Sequence, residues 1–206
     1  MNSYSILADT GYRSDNTLYN EEKRLFYGQE KSVLICNSCQ AVSSTKAAFS
    51  SFSLPIEKHQ NIAEAIGGYF KSEQVERKCD FCKTTATATK KITLEEIPKN
   101  IVIQLQRFGS TRRKVMKKID IHLEIYLRKY VEENKVIEDK AKLYGVIVHK
   151  GNTLSNGHYY AFILFGSQWY LVDDMRVKQV TIQSLQNIDG QPYLLFYRTM
   201  PRPYIS

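Results

Sequence analysis

The sequence contains no long apolar run, and cysteine, tryptophan and histidine are scarce in it. Among 206 residues there are four cysteines, four histidines and one tryptophan. The longest purely apolar stretch lies around AFILF at 161–165, far below the roughly 20 residues of a membrane-spanning helix. The first residues, MNSYSILADTGYR, lack the basic and then apolar segments of a secretory signal. We therefore expect an intracellular, soluble protein, cytoplasmic or nuclear, with no membrane partner.

Hydrophobic residues are plentiful enough for a packed core. They make up 43% of the chain, aromatic residues make up 12%, and the length fits one domain or two small ones. Apolar residues alternate with period two in many segments, which indicates β-strands. No internal repeat or low-complexity tract is present. We therefore expect an α+β fold that is mostly antiparallel β with one or two helices.

One short helix is predicted after residue 60, where Asn61 and Glu64 resemble a capping box. The apolar residues at helical spacing behind this cap are Ile62, Ile66, Tyr69 and Phe70. Strands are predicted in segments that alternate or are rich in β-branched residues: 84–93, 101–108, 118–127 and 142–150. The charged segment EENKVIEDK is predicted to be a turn.

The four cysteines fall into two pairs of equal spacing, Cys36-x-x-Cys39 and Cys79-x-x-Cys82. In a chain without a secretory signal, such pairs are typical of a tetrahedral thiolate site for structural zinc. A redox-active pair would need a strand-to-helix context that neither pair has. Strand-like segments flank the pairs, so we expect the zinc ion at the tip of a hairpin-like finger.

The formal net charge of +8 is unevenly distributed, and one stretch of a dozen residues is basic without a single acidic residue. Its cations are Arg107, Arg112, Arg113, Lys114, Lys117 and Lys118. Such a run can bind nucleic-acid phosphates, but it is more often a solvated loop. No recognition helix or aromatic stacking motif accompanies it, so a nucleic-acid-binding zinc ribbon that uses the loop at 112–118 is only a minor alternative.

A histidine and an aspartate lie on what the sequence predicts to be one β-hairpin. The segment HYYAFILFGSQWYLVDD has Gly166-Ser167 at its centre, a dipeptide suited to a two-residue type II′ turn. With that turn, strand parity places Asp173 on the same face as His158 and points Asp174 to the other face. Asp173 would fix the imidazole tautomer and leave the other nitrogen to take a proton from a nucleophile. A three-residue loop would exchange the roles of the two aspartates.

The surroundings of His158 favour a functional role over an ordinary structural hydrogen bond. Gly157 removes side-chain bulk where a substrate backbone could approach, and GNTLSNG suits a mobile loop that covers a cleft. His149 follows the apolar segment GVIV and is expected to be structural.

Taken in order, these motifs resemble the ubiquitin-specific protease family, papain-like cysteine deubiquitinases shaped as a hand with thumb, fingers and palm. LFYGQEKSVLICNSC with CDFC resembles the zinc-bearing fingers, and LEEIPKNIVIQLQRF resembles the strand that enters the palm. YGVIVHKGNTLSNGHYYAFI with WYLVDD resembles the histidine box and its acidic partner, and PYLLFYR resembles the closing strand. The resemblance runs from about Leu25 to Arg198.

The resemblance implies a division of the chain and a role for zinc. We expect a loosely ordered lead-in at 1–24, zinc-binding fingers at 25–95 and a palm at 96–206. The zinc ion would be structural and would brace the fingers against the globular body of ubiquitin. Its ligands would be Cys36, Cys39, Cys79 and Cys82.

The resemblance also implies roles in the palm. His158 would be the catalytic base, Asp173 the residue that orients it, and Asp174 a polar neighbour. Substrate contacts are expected from Gly157, Tyr159 and Trp169.

One part of the family pattern is not found in this sequence. The family's nucleophilic cysteine belongs to an N-terminal box followed by a helical thumb, and neither precedes Leu25. All four cysteines match the zinc motif, and no serine stands in a nucleophile-elbow pattern. We therefore expect the fingers and palm of a deubiquitinase whose Cys-bearing thumb lies elsewhere, on this or another polypeptide, with ubiquitin or ubiquitinated proteins as partners. The alternative is a non-catalytic ubiquitin-binding scaffold.

Overall fold

The computed structural model describes residues 23–108, 114–132, 139–153 and 156–201, which build two β-sheets and a short helix. The helix, α1, spans Ile62–Tyr69. In chain order the strands are β1 (Gly28–Cys36), β2 (Val42–Phe49), β3 (Phe52–Pro55), β4 (Glu73–Lys78), β5 (Thr85–Glu96), β6 (Asn100–Gln106), β7 (Glu124–Tyr126), β8 (Lys140–Lys150), β9 (His158–Phe165), β10 (Gln168–Asp173), β11 (Arg176–Val180) and β12 (Gln191–Thr199). This confirms the α+β class with mostly antiparallel strands.

The smaller sheet forms a finger that carries the cysteines at one end. Its four antiparallel strands lie in the order β2-β1-β5-β4. β1 pairs with β2 and β5 on its two sides, and β4 forms a hairpin with β5. The expected hairpin-like finger is therefore present.

The larger sheet has eight strands and carries the histidine and aspartate. Seven of them lie in the order β11-β10-β9-β8-β12-β6-β3. The eighth strand, β7, pairs with the first residues of β8. β3 runs parallel to β6, and the remaining pairs are antiparallel. β8 lies in the middle of the sheet, as its apolar sequence predicts.

The core lies between the larger sheet and α1. Asn61 caps the helix by accepting a hydrogen bond from the backbone N–H of Glu64 at 2.9 Å, which confirms the predicted start. The residues of α1 that are buried are Ile62, Ala65 and Ile66. Phe70 follows the helix and contacts Phe52 of β3 with its ring at 5.7 Å between centroids. Packing of this apolar face, rather than helix length, holds an eight-residue helix in place.

The segment at 118–127 was expected to be a strand, but only Glu124–Tyr126 forms one, paired with β8. Before it, the backbone of Asp120 is used at the start of α1: its N–H donates to the carbonyl of Gln60 at 3.0 Å, and its carbonyl accepts from the N–H of Ile62 at 3.1 Å. Just ahead of the segment, the guanidinium of Arg107 donates to the carbonyl oxygens of Val115 and Lys117, both at 2.9 Å. The turn predicted at 132–140 lies largely outside the described residues.

Two cations of the basic stretch are buried, which corrects the expectation of a solvated loop. Arg107 is 0% exposed and Lys114 is 9% exposed. Burial lowers the pKa of Arg107 to about 10. Arg112 and Arg113 lie outside the described residues. The buried pair weakens the nucleic-acid alternative, since phosphates bind cations that they can reach.

The division of the chain at residue 95 stays a prediction. β3 and α1 fall within the range predicted for the fingers, yet β3 pairs in the larger sheet. The chain therefore passes from the smaller sheet to the larger one and back before β5. Within the described residues, no helix is long and apolar enough to cross a membrane.

Candidate active site and metal centre

The four cysteines converge at the end of the smaller sheet. Their Sγ atoms all lie within 4.8 Å of one another, and the Sγ atoms of Cys39 and Cys79 are 3.7 Å apart. A tetrahedron with Zn–S bonds of about 2.3 Å has sulfur–sulfur edges of about 3.8 Å. The cysteines are free thiols. Cys36, Cys39, Cys79 and Cys82 therefore form a cluster whose donor atoms and spacing fit a structural zinc ion.

The two cysteine turns share one backbone geometry. The residue after each pair is left-handed, with φ of 60° at Gln40 and 59° at Lys83. The backbone N–H of Gln40 donates to the carbonyl of Cys36 at 2.9 Å, and that of Lys83 donates to the carbonyl of Cys79 at 3.0 Å. Equal C-x-x-C spacing in the sequence thus corresponds to two equal knuckles.

Local hydrogen bonds favour the thiolate form that binds metal. The Thr84 hydroxyl, 3.0 Å from the Cys82 Sγ, and the Thr84 backbone N–H lower the pKa of Cys82 to about 6. Backbone N–H groups of Cys39 and Ser38 lower the pKa of Cys36. The backbone N–H of Ala41 lowers the pKa of Cys39, but desolvation and the neighbouring cysteines raise it to about 11. Each knuckle therefore offers one ligand, Cys36 or Cys82, that loses its proton readily when a cation binds.

The hairpin that carries the histidine has the predicted register. Phe165 pairs with Gln168, and Gly166 at the turn has a φ of 60°. Ser167 is not among the residues with positive φ, so the turn fits type II′. The ladder between β9 and β10 continues to Val172, just before Asp173.

His158 and Asp173 form a direct hydrogen bond between Nε2 and Oδ1. The side chains are 45% and 42% exposed, so the pair lies at the surface, within reach of a partner group. Because Asp173 occupies Nε2, Nδ1 is the nitrogen left to exchange a proton with a nucleophile. An imidazole held in this way can act as a base toward a nucleophile placed at Nδ1.

Asp173 also changes the electrostatics of the histidine. Its hydrogen bond and its negative charge raise the pKa of His158, and Asp174 adds to the rise by its charge. Partial desolvation and the charge of Lys150 act in the opposite direction. The net effect favours the imidazolium, the form that stabilises a neighbouring thiolate.

Strand parity predicted that Asp174 points to the face opposite His158, and this prediction is wrong. β10 ends at Asp173, and Asp174 is left-handed with a φ of 51°. This turn brings an Asp174 carboxylate oxygen within 4.8 Å of a ring nitrogen of His158. Period-two alternation holds only while the strand continues, so it could not place this side chain.

The three residues expected to contact substrate have different surroundings. Gly157 and Tyr159 are exposed on either side of His158. A Cβ atom on Gly157 would lie 2.1 Å from Nε2 of His149, so close packing requires glycine there. Trp169 is 6% exposed and belongs to the hydrophobic core, which leaves it little surface for a substrate.

A groove lies beside His158, and the sequence analysis did not predict the residues that line it. It runs between β9 and the 3-10 turn at Ile182–Leu185, with a volume of about 530 Å³. The Tyr160 hydroxyl donates to the carbonyl oxygen of Asp189 at 2.6 Å, and Lys150 forms an ion pair with the Asp189 carboxylate. Burial raises the pKa of Tyr160 to about 12. Only the spacing of Tyr160 two residues after His158 hinted at this face.

Comparison with known proteins identifies the class. The pattern of the ubiquitin carboxyl-terminal hydrolase family, UCH, matches residues 9–197. The match covers most of the chain, and the fold and cysteine cluster agree with it. The chain belongs to this family, as the resemblance to ubiquitin-specific proteases indicated.

Curated relatives carry the same family name. Ubiquitin carboxyl-terminal hydrolase 36 of Drosophila ananassae is 32% identical over 86% of this chain and 17% of its own length. Ubiquitin carboxyl-terminal hydrolase 25 of Arabidopsis thaliana is 31% identical over 88% of this chain and 28% of its own. Ubiquitin carboxyl-terminal hydrolase 21 of Rattus norvegicus is 31% identical over 87% and 34%. The chain therefore spans between 17% and 34% of the length of these relatives.

Solved structures of a deubiquitinating module share the fold. The SAGA Ubp8/Sgf11/Sus1/Sgf73 DUB module bound to ubiquitin aldehyde contains a chain that is 26% identical, with a TM-score of 0.75. The likeness covers 87% of this chain and 42% of that chain. A related structure of the module bound to monoubiquitin gives 28% identity and a TM-score of 0.76.

Proposed function

We propose that this chain forms the fingers and palm of a ubiquitin-specific protease that hydrolyses peptide and isopeptide bonds at the C-terminus of ubiquitin. The observation that carries the proposal is the His158–Asp173 pair on the larger sheet of a chain that belongs to this family. Family membership supports the substrate class, and the pair supports the chemistry.

His158 is proposed to act as the base through Nδ1. A cysteine thiolate would attack the carbonyl carbon of the last glycine of ubiquitin, and the imidazolium would give its proton to the amine as the C–N bond breaks. Neutral His158 would then take a proton from a water molecule as its oxygen attacks the thioester carbonyl carbon, which releases the ubiquitin carboxyl group and restores the thiolate. Asp173 would hold the ring by its bond to Nε2, and Asp174 would add negative charge beside it.

The nucleophile is proposed to come from outside these 206 residues. Cys36, Cys39, Cys79 and Cys82 are the cysteines of the chain, and all lie in the metal cluster. A Cys-bearing thumb, on another segment or another polypeptide, would bring its thiol to Nδ1 of His158.

The finger sheet is proposed to bind the globular body of ubiquitin, with zinc holding the knuckles in place. Gly157 and Tyr159 flank His158 at the surface and are proposed to contact the substrate near the bond that breaks. Ubiquitin conjugates of the cytoplasm or nucleus are the proposed substrates.

The proposal is tested with the zinc-loaded chain and ubiquitin. Calorimetry is expected to show saturable binding, since the fingers and palm are present. A fluorogenic amide of the ubiquitin C-terminus is expected to remain uncleaved by the chain alone. Absence of binding heat at high concentration would contradict the ubiquitin assignment. Cleavage by the chain alone that disappears in His158→Ala would contradict the external nucleophile.

A non-catalytic scaffold is the second candidate, favoured by the position of all four cysteines in the metal cluster. It would bind ubiquitin equally well and would gain no hydrolysis from any Cys-bearing segment. The two candidate functions therefore differ in one result: whether a Cys-bearing segment added to the chain produces hydrolysis that depends on His158.

A further inference from the structure

A buried ammonium group lies at the end of β8, the strand that pairs with the start of β9. Lys114 is 9% exposed, and its Nζ is 3.0 Å from the carbonyl oxygen of His149 and 2.6 Å from that of Gly151. It also lies 2.8 Å from Nδ1 of His149 and 2.7 Å from Oε1 of Gln191. Neutral acceptors from β8, the following loop and β12 thus surround one charge.

The lysine fixes the tautomer of His149. A lysine ammonium can only donate hydrogen bonds, so Nδ1 of His149 must accept and its proton must lie on Nε2. His149 is 0% exposed, and burial together with the charge of Lys114 lowers its pKa. His149 is therefore a neutral ring held in one orientation.

The His149 ring supports both neighbours of His158. Its Nε2 lies against the backbone of Gly157, where a Cβ atom would come within 2.1 Å. Its ring centroid is 4.5 Å from that of Tyr159. The backbone of His158 pairs with Lys150, between the two residues whose carbonyl groups Lys114 binds. The end of β8, the loop after it and the start of β9 are thus tied to one ammonium group.

We infer that Lys114, acting through His149, is a positioning residue that holds His158 in line with Asp173. The consequence for catalysis rests on the proposed function, but the positioning itself does not. Lys114 touches neither His158 nor Asp173 among the contacts of the described residues, so it acts through the backbone and the His149 ring.

The test is an NMR titration of the imidazole of His158 in the zinc-loaded 206-residue chain. In Lys114→Met, the pKa of His158 is expected to fall toward its ordinary value of about 6.5, because the Asp173 bond loosens. Removal of a positive charge can by itself only raise the pKa of a nearby imidazole. A fall in the pKa of His158 therefore indicates that its hydrogen bond to Asp173 has weakened. The other charged groups at His158 are Asp173, Asp174 and Lys150, which the substitution leaves unchanged.

Two further variants separate positioning from general damage. Lys118→Met removes the same charge from an exposed site in the same stretch and is expected to leave the His158 titration unchanged. His149→Asn keeps an oxygen that can accept from Lys114 but removes the ring against Gly157 and Tyr159, so the pKa of His158 is expected to fall. An unchanged His158 titration in folded Lys114→Met or His149→Asn overturns the inference.

The wild-type chain provides a measurement that no folding defect can obscure. Nitrogen-15 spectra of the neutral ring are expected to show His149 as one tautomer, protonated on Nε2, because Nδ1 accepts from Lys114. A proton on Nδ1 overturns the inference. These measurements need no ubiquitin and no hydrolysis. If the proposed function is wrong, the NMR results expected for His158 and His149 still hold. If those NMR results are not obtained, ubiquitin binding by the chain is still expected.

Discussion

At the residue scale, the register of one hairpin brings His158 and Asp173 into a direct hydrogen bond. A glycine at the centre of the hairpin fixed the turn length, and strand parity then selected Asp173. The burial of Lys114 had no such local signal, because its acceptors lie 35 to 77 residues away along the chain. A basic run is usually solvated, and only the folded chain shows that one of its members is enclosed.

Replacement of Asp173 is expected to lower the pKa of His158. Asp173→Asn removes the carboxylate whose hydrogen bond and charge raise that pKa. Asp174→Asn is the matched control, since Asp174 acts on His158 through its charge alone. NMR titration should show the larger fall in Asp173→Asn. A fall of equal size in Asp174→Asn would contradict the assignment of the orienting residue.

The same pair gives stability a pH dependence. The pKa of His158 is raised in the folded state above its unfolded value of about 6.5. The contribution of this histidine to the free energy of unfolding is therefore complete at pH values below about 6.5. The contribution is lost as the pH rises through the folded pKa. Urea unfolding should show that the free-energy gap between wild type and His158→Gln narrows from about pH 5.5 to pH 8.5. In an Asp173→Asn background the narrowing should disappear; if it persists, another group causes it.

Trp169 is expected to matter for stability rather than for substrate binding. It is 6% exposed, so Trp169→Ala should lower the free energy of unfolding by about 3–5 kcal/mol. Phe165→Ala, at the exposed end of the same strand pair, should change it by no more than about 0.5 kcal/mol. Urea titration measures both. Normal stability with weak ubiquitin binding in Trp169→Ala would restore its expected role as a substrate contact.

At the element scale, an alternating segment forms a strand where neighbouring strands of the sheet supply hydrogen-bond partners for its backbone groups. The strands Asn100–Gln106 and Lys140–Lys150 overlap the predicted segments 101–108 and 142–150, and begin one and two residues earlier. The segment at 118–127 has the same alternation, yet the backbone of Asp120 forms its hydrogen bonds with Gln60 and Ile62 at the start of α1. A competing long-range hydrogen bond is invisible in a local pattern. The cysteine knuckles, by contrast, depend on contiguous residues, so spacing alone predicted them.

Loss of zinc is expected to loosen the finger sheet and spare the larger one. The ion would tie the turn after β1 to the turn after β4, which no strand pairing joins directly. Cys82→Ser should therefore speed amide hydrogen exchange in β4 and both knuckles, with exchange in β8 and β12 unchanged. Ser38→Ala, within a knuckle but not a ligand, is the control. Equal exchange with and without a chelator would contradict a structural metal.

At the scale of the whole molecule, the outer face of the larger sheet is apolar and partly exposed. Leu194 pairs with Ile147, and Phe196 follows two residues later on the same face. These side chains are half-buried, whereas Val146 and Leu195 on the inner face are buried. The proposed Cys-bearing segment would bury these half-buried side chains fully if it packs on this face.

The central claim is that His158 serves a thiol that cleaves the C-terminus of ubiquitin. The most direct measurement replaces the matched region of a relative, such as the rat hydrolase, with this chain and follows cleavage of a fluorogenic ubiquitin amide. Cleavage should appear, and His158→Ala should reduce kcat/KM by at least about 100-fold. His59→Ala, a histidine that packs beside Gly68 of α1, should leave it unchanged. Cleavage that survives the loss of His158, or a well-folded chimeric protein that binds ubiquitin and cleaves nothing, would contradict the account.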